Sequence, residues 1–561
     1  PEADTGDIDN ASDSLSADDI PRVELPVVQG EITLDGVLDE WFWADSAEIT
    51  IDKELYPERF ADASVGTRAL AVTTSTHLYM GFIADDPDVS KIRSANRARD
   101  SVKDGDYVSV VIDPTGQLRR KFEFRVNPHG SRADILQDTI SDRYWYDWDT
   151  RWDAESQITK NGFTSEMAIP LDSIKQPRLK AGEKPFWLVI LKRSYPREVD
   201  RTFGAVAVFG RDESLTQNTH RRRLELKPYY IYFPEEERDP GEEFTRTDDY
   251  NLNEVGIDAK LIWDSSTALS VTINPNYTDV EADIARDSIN NSFTPFQPEK
   301  RSFFQDGREL YSTQMPLVYT RNIVQPDYGL DFSHFNLRNS MGALWVKDKD
   351  TKLVMPDNLG SDTVEIDELE NDSLAMRWVT GEKGSSLGLI GTFRKGVDYK
   401  NYVFGVDGLV NLGIDDKIRY QLTWSETNYP GSFADDLCDG DDCSAPPPED
   451  CDLGECDYTA EVLRANPNED LGGHGIRLSY KHDGPEGLYW LNYFDYAEDF
   501  RADFGLEKRT DYRQLNAAYG KKWYLQVREK DQGKSRIRGY VVGNMIQNSD
   551  GEQIENGLDL W

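Results

Sequence analysis

The chain's 561 residues exceed what one hydrophobic core serves, so two or more domains are expected. Its 103 acidic against 63 basic residues give a net charge of -40, which argues against nucleic acid as a partner because phosphate binding needs a basic surface. No run of about 18 apolar residues occurs, which excludes a transmembrane helix but not a membrane barrel, whose strands need only about ten alternating residues.

Residues 1–22 are acidic, rich in Ser and Asp and poor in aromatics, the composition of a disordered tail. No charged and apolar leader follows Pro1, so the expectation is a signal peptide already removed. From 23 to 226 short strands alternate with turns, as at 68–73, 78–84, 107–113 and 121–126. Helical periodicity is nearly absent, and closely spaced strands with polar turns predict a β-sandwich. The segment 227–255, with the acidic run after Pro234, reads as a linker.

From 256 to 561 the alternation lengthens. Leu374, Met376 and Trp378 share one face against Ser373, Ala375 and Arg377; Ile418, Tyr420, Leu422 and Trp424 share one against Lys417, Arg419, Gln421 and Thr423. About ten such strands in series predict an antiparallel transmembrane β-barrel, with Trp424, Tyr429 and Trp523 suited to interfacial girdles. No clean alternating strand leads to Trp561, so an incomplete barrel is one expectation. The fold class is therefore all-β, a sandwich followed by a barrel. Cys438, Cys443, Cys451 and Cys456 lie in one Pro-rich loop with spacing C-x4-C-x7-C-x4-C. That spacing does not fit paired C-x2-C zinc ligands and suits two local disulfides, in any of three connectivities, in an oxidising location.

Several residues are candidates for function. Trp145 and Tyr146 can offer flat faces to a sugar ring and Asp147 can hold its hydroxyls, although large aromatics also serve sandwich cores. Asp85, Asp86 and Asp88 in Ala-Asp-Asp-Pro-Asp make an oxygen-rich turn of the kind that holds Ca²⁺, with a solvated turn as the plainer alternative. The stretch 271–311 carries an acidic run at 279–283 and then Pro-Glu-Lys-Arg-Ser-Phe-Phe from 298. Glu299, Lys300 and Arg301 there are expected to form a charge network in a barrel lumen, as a constriction or plug, with the two Phe residues packing on the wall.

Three blocks of sequence resemble a known family. Ile-Thr-Leu-Asp-Gly-Val-Leu-Asp-Glu-Trp-Phe-Trp-Ala at 32–44 is similar to the opening of family 9 carbohydrate-binding modules. Gly-Asp-Tyr-Val-Ser-Val-Val-Ile-Asp-Pro at 105–114 and Gly-Phe-Thr-Ser-Glu-Met-Ala-Ile-Pro at 162–170 continue the likeness. The block at 271–311, and 502–513 later, resemble signatures of a barrel domain of unassigned function in Gram-negative outer-membrane proteins. Asn276-Tyr-Thr-Asp and Arg301-Ser-Phe-Phe depart from the usual Asp-Phe-Ser-Gln and Arg-Pro-Phe-Phe. The resemblance implies an outer-membrane location, core roles for Trp148 and Trp152, and a packed Trp43. Some related sandwich domains carry haem, for which His129 and Met167 are the candidate ligands here, but no C-x-x-C-H occurs and a plain turn histidine is the expectation.

No G-x-S-x-G, H-E-x-x-H or Walker loop occurs, which points away from an enzyme. The expected function is an outer-membrane protein whose sandwich binds a carbohydrate or other extracytoplasmic partner and whose barrel, in contact with membrane lipid, anchors it or passes solute. The alternatives are a glycan-acting hydrolase anchored by the barrel and a structural subunit docking a partner protein.

Overall fold

The computed structural model describes residues 20–560 except 30–32, 57, 59, 118, 140, 142, 178–185, 198–199, 211–221, 235–250, 265, 276–291, 367–368, 383, 414, 431–469, 485 and 527–533. Alternating apolar residues shape its first part into two facing sheets. One runs Arg22–Glu24, Asp200–Gly210, Phe186–Pro196, Tyr107–Asp113, Arg120–Val126, Arg132–Asp138, Arg143–Trp145, with Lys53–Tyr56 also on Asp200–Gly210. The other runs Asp153–Thr159, Gly162–Pro170, His77–Asp85, Thr67–Thr73, Ala47–Thr50. Val108, Val110, Ile112 and Phe124 from the first meet Met80, Phe82 and Phe163 from the second in one buried core with Trp152 and Trp187. Each such side chain contributes about 1.5–3 kcal/mol by leaving water.

The tail expected over 1–22 is shorter at its described end. Ile20 is buried against Val111, Leu188, Ile190 and Val206, and Arg22 opens a strand parallel to Asp200–Gly210.

The remaining strands form one sheet of 14, each antiparallel to the next in chain order. They are Arg223–Pro234, Asn251–Asp264, Thr267–Ile273, Pro326–Phe335, Asn339–Asp348, Asn371–Glu382, Ser385–Gly396, Tyr399–Asn411, Asp416–Asn428, Leu471–Asp483, Gly487–Tyr496, Tyr512–Gln526, Lys534–Gln547 and Gln553–Leu560. Among the described residues the first and last strands do not pair with each other. The expected linker at 227–255 is thus corrected: the large sheet begins at Arg223, and the acidic run after Pro234 falls between its first two strands. Leu224, Leu226, Tyr230 and Tyr232 already alternate outward there, a signal that the acidic composition of the following loop obscures.

The polarity of this sheet is inverted relative to the sandwich. Met376, Phe404, Leu422, Trp424, Leu478 and Trp523 are exposed, whereas Arg377, Asp407, Gln421, Thr423 and Arg394 on the opposite face are buried. The faces are those expected from the alternation, with the apolar one outermost. Trp424 and Trp523 point outward as expected for girdles, but Tyr429 is buried and stacks on Tyr399 at 5.9 Å.

Two chain segments fill the inner side. One, 292–325, contains the short helix Ser302–Gln305, whose Phe303 and Phe304 pack with Leu310, Tyr311 and Ile323 on Leu344, Val346 and Ala375 of the wall. The other, 497–511, brings Phe500 and Ala502 to Met315 and Leu317, and Phe504 to the first cluster. Wall glycines admit them. A Cβ on Gly329 would come within 2.8 Å of the Phe303 ring, and one on Gly473 within 2.3 Å of the Phe500 backbone. Because 292–325 touches Lys260 near one edge of the sheet through Asp306 and Gln421 far along it through Met315, the sheet curves around the filling.

The two ends of this curved sheet differ. At one end strands connect through 265–266, 336–338, 383–384, 412–415, 484–486 and 527–533; at the other, 235–250, 274–325, 349–370, 397–398, 429–470, 497–511 and 548–552 intervene. The sandwich joins the short-turn end, where Arg223 begins the first strand and Arg120 lies over the Phe335 ring.

Candidate functional site

The site is the junction of sandwich, lumenal segment and wall. The stretch from Pro298 places it. Glu299 accepts from Arg301 Nε at 2.8 Å, Arg301 Nη2 at 2.7 Å and Thr320 Oγ1 at 2.6 Å, while Arg301 Nη1 donates to the Ile323 carbonyl at 2.8 Å. Arg301 also covers the Phe304 ring at 4.4 Å. Burial pushes the Glu299 carboxyl up, but the Arg301 hydrogen bond and charge hold it below its ordinary range. The pair therefore staples its own loop inside the lumen. Lys300 differs: its backbone N–H donates to Glu299 Oε1 at 3.1 Å and its side chain is partly exposed. The acidic run 279–283 lies outside the described residues.

The second filling segment is tied to the first by a carboxamide. Asn322 Nδ2 donates to the carbonyls of Asp503 at 3.2 Å and Gly505 at 2.7 Å, and Tyr319 N donates to Phe504 O at 2.7 Å. Asp503 in turn accepts from Tyr399 at 2.7 Å and Tyr429 at 3.0 Å on the wall. Two blocks that the family resemblance singled out separately, from 298 and from 502, are thus one packed unit.

Beyond the short helix the lumenal segment reaches the sandwich. Arg308 grips Asp147 through both guanidinium nitrogens, one of them at 2.9 Å. Glu309 lies 3.3 Å from Arg120 and 3.6 Å from Lys175, and Asp306 lies 3.7 Å from Lys175 and 2.6 Å from Lys260 of the wall. Asp306, Arg308 and Glu309 thus link all three parts through charge-assisted contacts. Nothing in a one-dimensional alternation marks these residues, since each carboxylate is one among 103 acidic residues.

The sugar-binding candidates divide here. Asp147 is engaged by Arg308, with its side chain still half exposed. Trp145 packs partly on the sandwich core and lines a cavity of about 100 Å³ shared with Phe296, Phe303, Tyr319 and Arg143. Phe296 and Tyr319 pack on each other in its wall, with ring centroids 5.7 Å apart. Tyr146 is half-buried, stacks on Tyr144 at 6.5 Å and carries Lys103 Nζ 5.0 Å over its ring. Trp152 is fully buried and donates to Asp134 at 3.1 Å, and Trp148 packs at 5.2 Å on Phe122. Trp43 is packed and Trp41 is exposed.

The Asp85, Asp86 and Asp88 turn is not brought together around a cation position. Asp86 is buried and bound by Arg197, with Arg193 at 3.8 Å; Asp88 instead accepts from Ser90 at 2.6 Å. Among the described residues no three His, Cys, Asp or Glu side chains converge on a metal position. An adjacent arginine pair takes the anionic charge that a cation would have balanced. Asp104 and Asp106 likewise separate: Asp106 binds Arg197 at 2.8 Å and Asp104 binds Arg97 at 3.0 Å. His129 sits in a turn with Nδ1 2.9 Å from Ser94, and Met167 is in the core. Cys438, Cys443, Cys451 and Cys456 lie outside the described residues.

Two buried acids of the sandwich carry no obvious mark in the sequence. Glu123, flanked by core phenylalanines, accepts from Arg125 Nε at 2.8 Å, Gln137 at 2.9 Å and Ser109 at 3.0 Å, with Lys192 at 3.8 Å. Burial pushes its carboxyl up, yet the Arg125 and Lys192 charges prevail and hold it at about 2. Glu166 accepts from Asp35 N and Gly36 N, both at 3.0 Å, and from Trp43 Nε1 at 3.2 Å. Burial pushes that carboxyl up to about 7. It organises the loop of the first resemblance block, whose Gly36 has φ +82 and a Cβ there would lie 2.7 Å from the Ser156 backbone.

No protein-family model matches the chain, and no curated protein matches it. Among solved structures, a family 9 carbohydrate binding module from Caldicellulosiruptor kristjanssonii in complex with glucose is 13% identical, covers 34% of this chain and 95% of its own, and has a TM-score of 0.25. OccK7 (OpdD) of Pseudomonas aeruginosa is 8% identical over 79% of this chain and 87% of its own, with a TM-score of 0.21. OccAB1 of Acinetobacter baumannii is 9% identical over 81% and 92%, with a TM-score of 0.23. At such scores none of these likenesses carries an argument about this chain.

Proposed function

We propose that the chain is an outer-membrane protein whose filled, curved sheet sits in the lipid bilayer and whose sandwich is held beneath it to bind a carbohydrate. The observation that carries the membrane reading is the inverted polarity of the large sheet, with Met376, Phe404, Leu422 and Trp424 outward and Arg377, Asp407 and Gln421 inward. An apolar band of this extent exposed to water is a strong liability, whereas lipid welcomes it. Short connections on one side, and mostly long ones on the other apart from 397–398 and 548–552, match periplasmic and extracellular ends, so the sandwich, at the short-turn end, is assigned to the periplasm. The lumenal segment makes the barrel a plugged anchor in this state rather than an open pore. Solute passage would require 292–325 to move, against its Asp147, Lys175 and Arg120 contacts.

The carbohydrate reading rests on the sequence resemblance and on the aromatic cavity of Trp145, Phe296 and Tyr319. Rings that can stack beside the polar Arg143 and Gln297 suit a saccharide. The test has two arms. In bilayers with brominated acyl chains, the outward Trp345, Trp424 and Trp523 should be quenched; a protein that stays soluble and unquenched sinks the membrane reading. Glycan-array binding should weaken in Trp145→Ala, and an array unchanged by that variant removes the sugar site. The hydrolase alternative would require turnover of a bound glycan, abolished by one carboxylate substitution.

A further inference from the structure

A second cavity, of about 50 Å³, lies on the other side of the junction between the sandwich loop at 114–120, the lumenal segment and the wall strand Asn371–Glu382. That is roughly three to four times the space one water needs, enough for a ligand of a few heavy atoms. Its walls are cationic in a chain of net charge -40: Arg119, Arg120, Lys175 and Arg377 face Asp138 and Glu309. Most of these charges are matched. Glu309 lies between Arg120 and Lys175, and Arg377 forms a two-point pair with Asp407, one contact at 2.6 Å. Asp138 accepts from Ser141 Oγ at 2.6 Å.

Arg119 has the charges of Asp113 and Asp138 near it, yet its Nε is unmet. The residue is only 8% exposed and reaches across from the sandwich to within contact of Gly381 on the wall. Ser312 Oγ and Arg377 Nε, on the same cavity, are also buried without partners. All three can donate a hydrogen bond, and leaving a buried donor unmet costs about 1–3 kcal/mol each. Three unmet donors on residues lining one polar space, two of them on guanidinium groups, suit an acceptor-rich, negatively charged occupant. The planar fork of arginine matches a carboxylate in particular. Ser340 also lines the space, while the Thr115 hydroxyl and the Asn336 carboxamide oxygen are engaged in their own turns.

We infer that this cavity binds a small hydroxylated carboxylate, with Arg119 as the anchor and Ser312, which also lines the aromatic cavity around Trp145, as a second donor. The site joins sandwich to plug, so an occupant would bridge the two. Calorimetry on the full chain in detergent, at constant ionic strength, tests it with glycerate, glycerol and inorganic phosphate. Glycerate should bind, its neutral counterpart glycerol should not, and Arg119→Met should weaken glycerate at least about tenfold, the loss of about 1.4 kcal/mol. Arg119→Lys should retain part of the affinity, because charge remains without the fork, and Ser312→Ala should weaken it a few-fold. Three outcomes overturn the inference: no glycerate binding, equal binding of glycerol, or phosphate binding without glycerate. Should Arg119→Met fail to fold, glycerate affinity unchanged in both Arg119→Lys and Ser312→Ala overturns it equally.

Discussion

The sandwich and the large sheet are written in the same alternation, yet they bury opposite faces. In the sandwich, Val108, Val110 and Ile112 turn toward Phe82 and Phe163, and the pattern encloses a dry core. In the large sheet, Leu422 and Trp424 face outward, while Gln421, Thr423 and Ser425 face chain segments and one another. Stability in the first comes from apolar area removed from water. Inside the second it comes from satisfied polar groups such as Arg394, which donates to the carbonyls of Lys352 at 2.7 Å and Asp503 at 3.0 Å. One period thus serves two solvents, and the partner each face meets decides the result.

Substitutions can break this comparison. In the sandwich, Phe124→Ala should cost about 3–5 kcal/mol by leaving a cavity, read as a lowered denaturation midpoint; a loss below about 1 kcal/mol would mean the core is loosely packed. Inside the large sheet, Arg377→Met should cost a similar 3–5 kcal/mol, because Asp407 would stay buried and unpaired. If the double variant Arg377→Met with Asp407→Leu does not recover most of that, pairing is not the cause. On the outward face, Leu422→Arg should destabilise the bilayer-embedded protein by about 2–4 kcal/mol. The same exchange on a water-exposed face costs within about 0.5 kcal/mol, so a small effect in lipid contradicts the membrane reading.

A pH experiment sharpens the sandwich side. The Glu123 carboxyl lies at about 2 when folded against a reference of 4.5. The folded state therefore binds fewer protons than the unfolded one in that window. The stability it contributes is complete above 4.5 and is lost as pH falls toward 2. Glu123→Gln should flatten that acid limb in urea titrations. Glu166 has the opposite sign: its folded value of about 7 lies above 4.5, so stability falls as pH rises between the two. Glu166→Gln should remove that decline. The smallest effect belongs to the junction, where Asp147 is half exposed. Asp147→Asn should change global stability by at most about 1 kcal/mol while speeding hydrogen exchange at 306–312. Unchanged exchange there would show that Arg308 does not hold the sandwich.

Much of this molecule is legible in its residues. The strand at 107–113 and the shared faces of Leu374, Met376, Trp378 and of Ile418, Tyr420, Leu422, Trp424 follow from period two alone, because side chains alternate on any strand. The stretch from Pro298 also announced a lumenal role through its charges beside Phe303 and Phe304. Other features were hidden. Tyr229 to Tyr232 read as part of a linker, since composition changes at the following acidic loop and not at the strand. Asp86 read as a cation ligand and Asp147 as a sugar ligand, since their arginine partners lie 111 and 161 residues away.

Local sequence determined the period of every strand and the polarity of its two faces, because those depend on neighbours one and two residues apart. Only the tertiary structure decided which face looks inward and that 298–311 and 502–513 pack as one plug. It alone also left Arg119 unmatched beside a cavity. Those outcomes depend on contacts between residues far apart in the chain, where burial and charge pairing set the energy and the alternation carries no information.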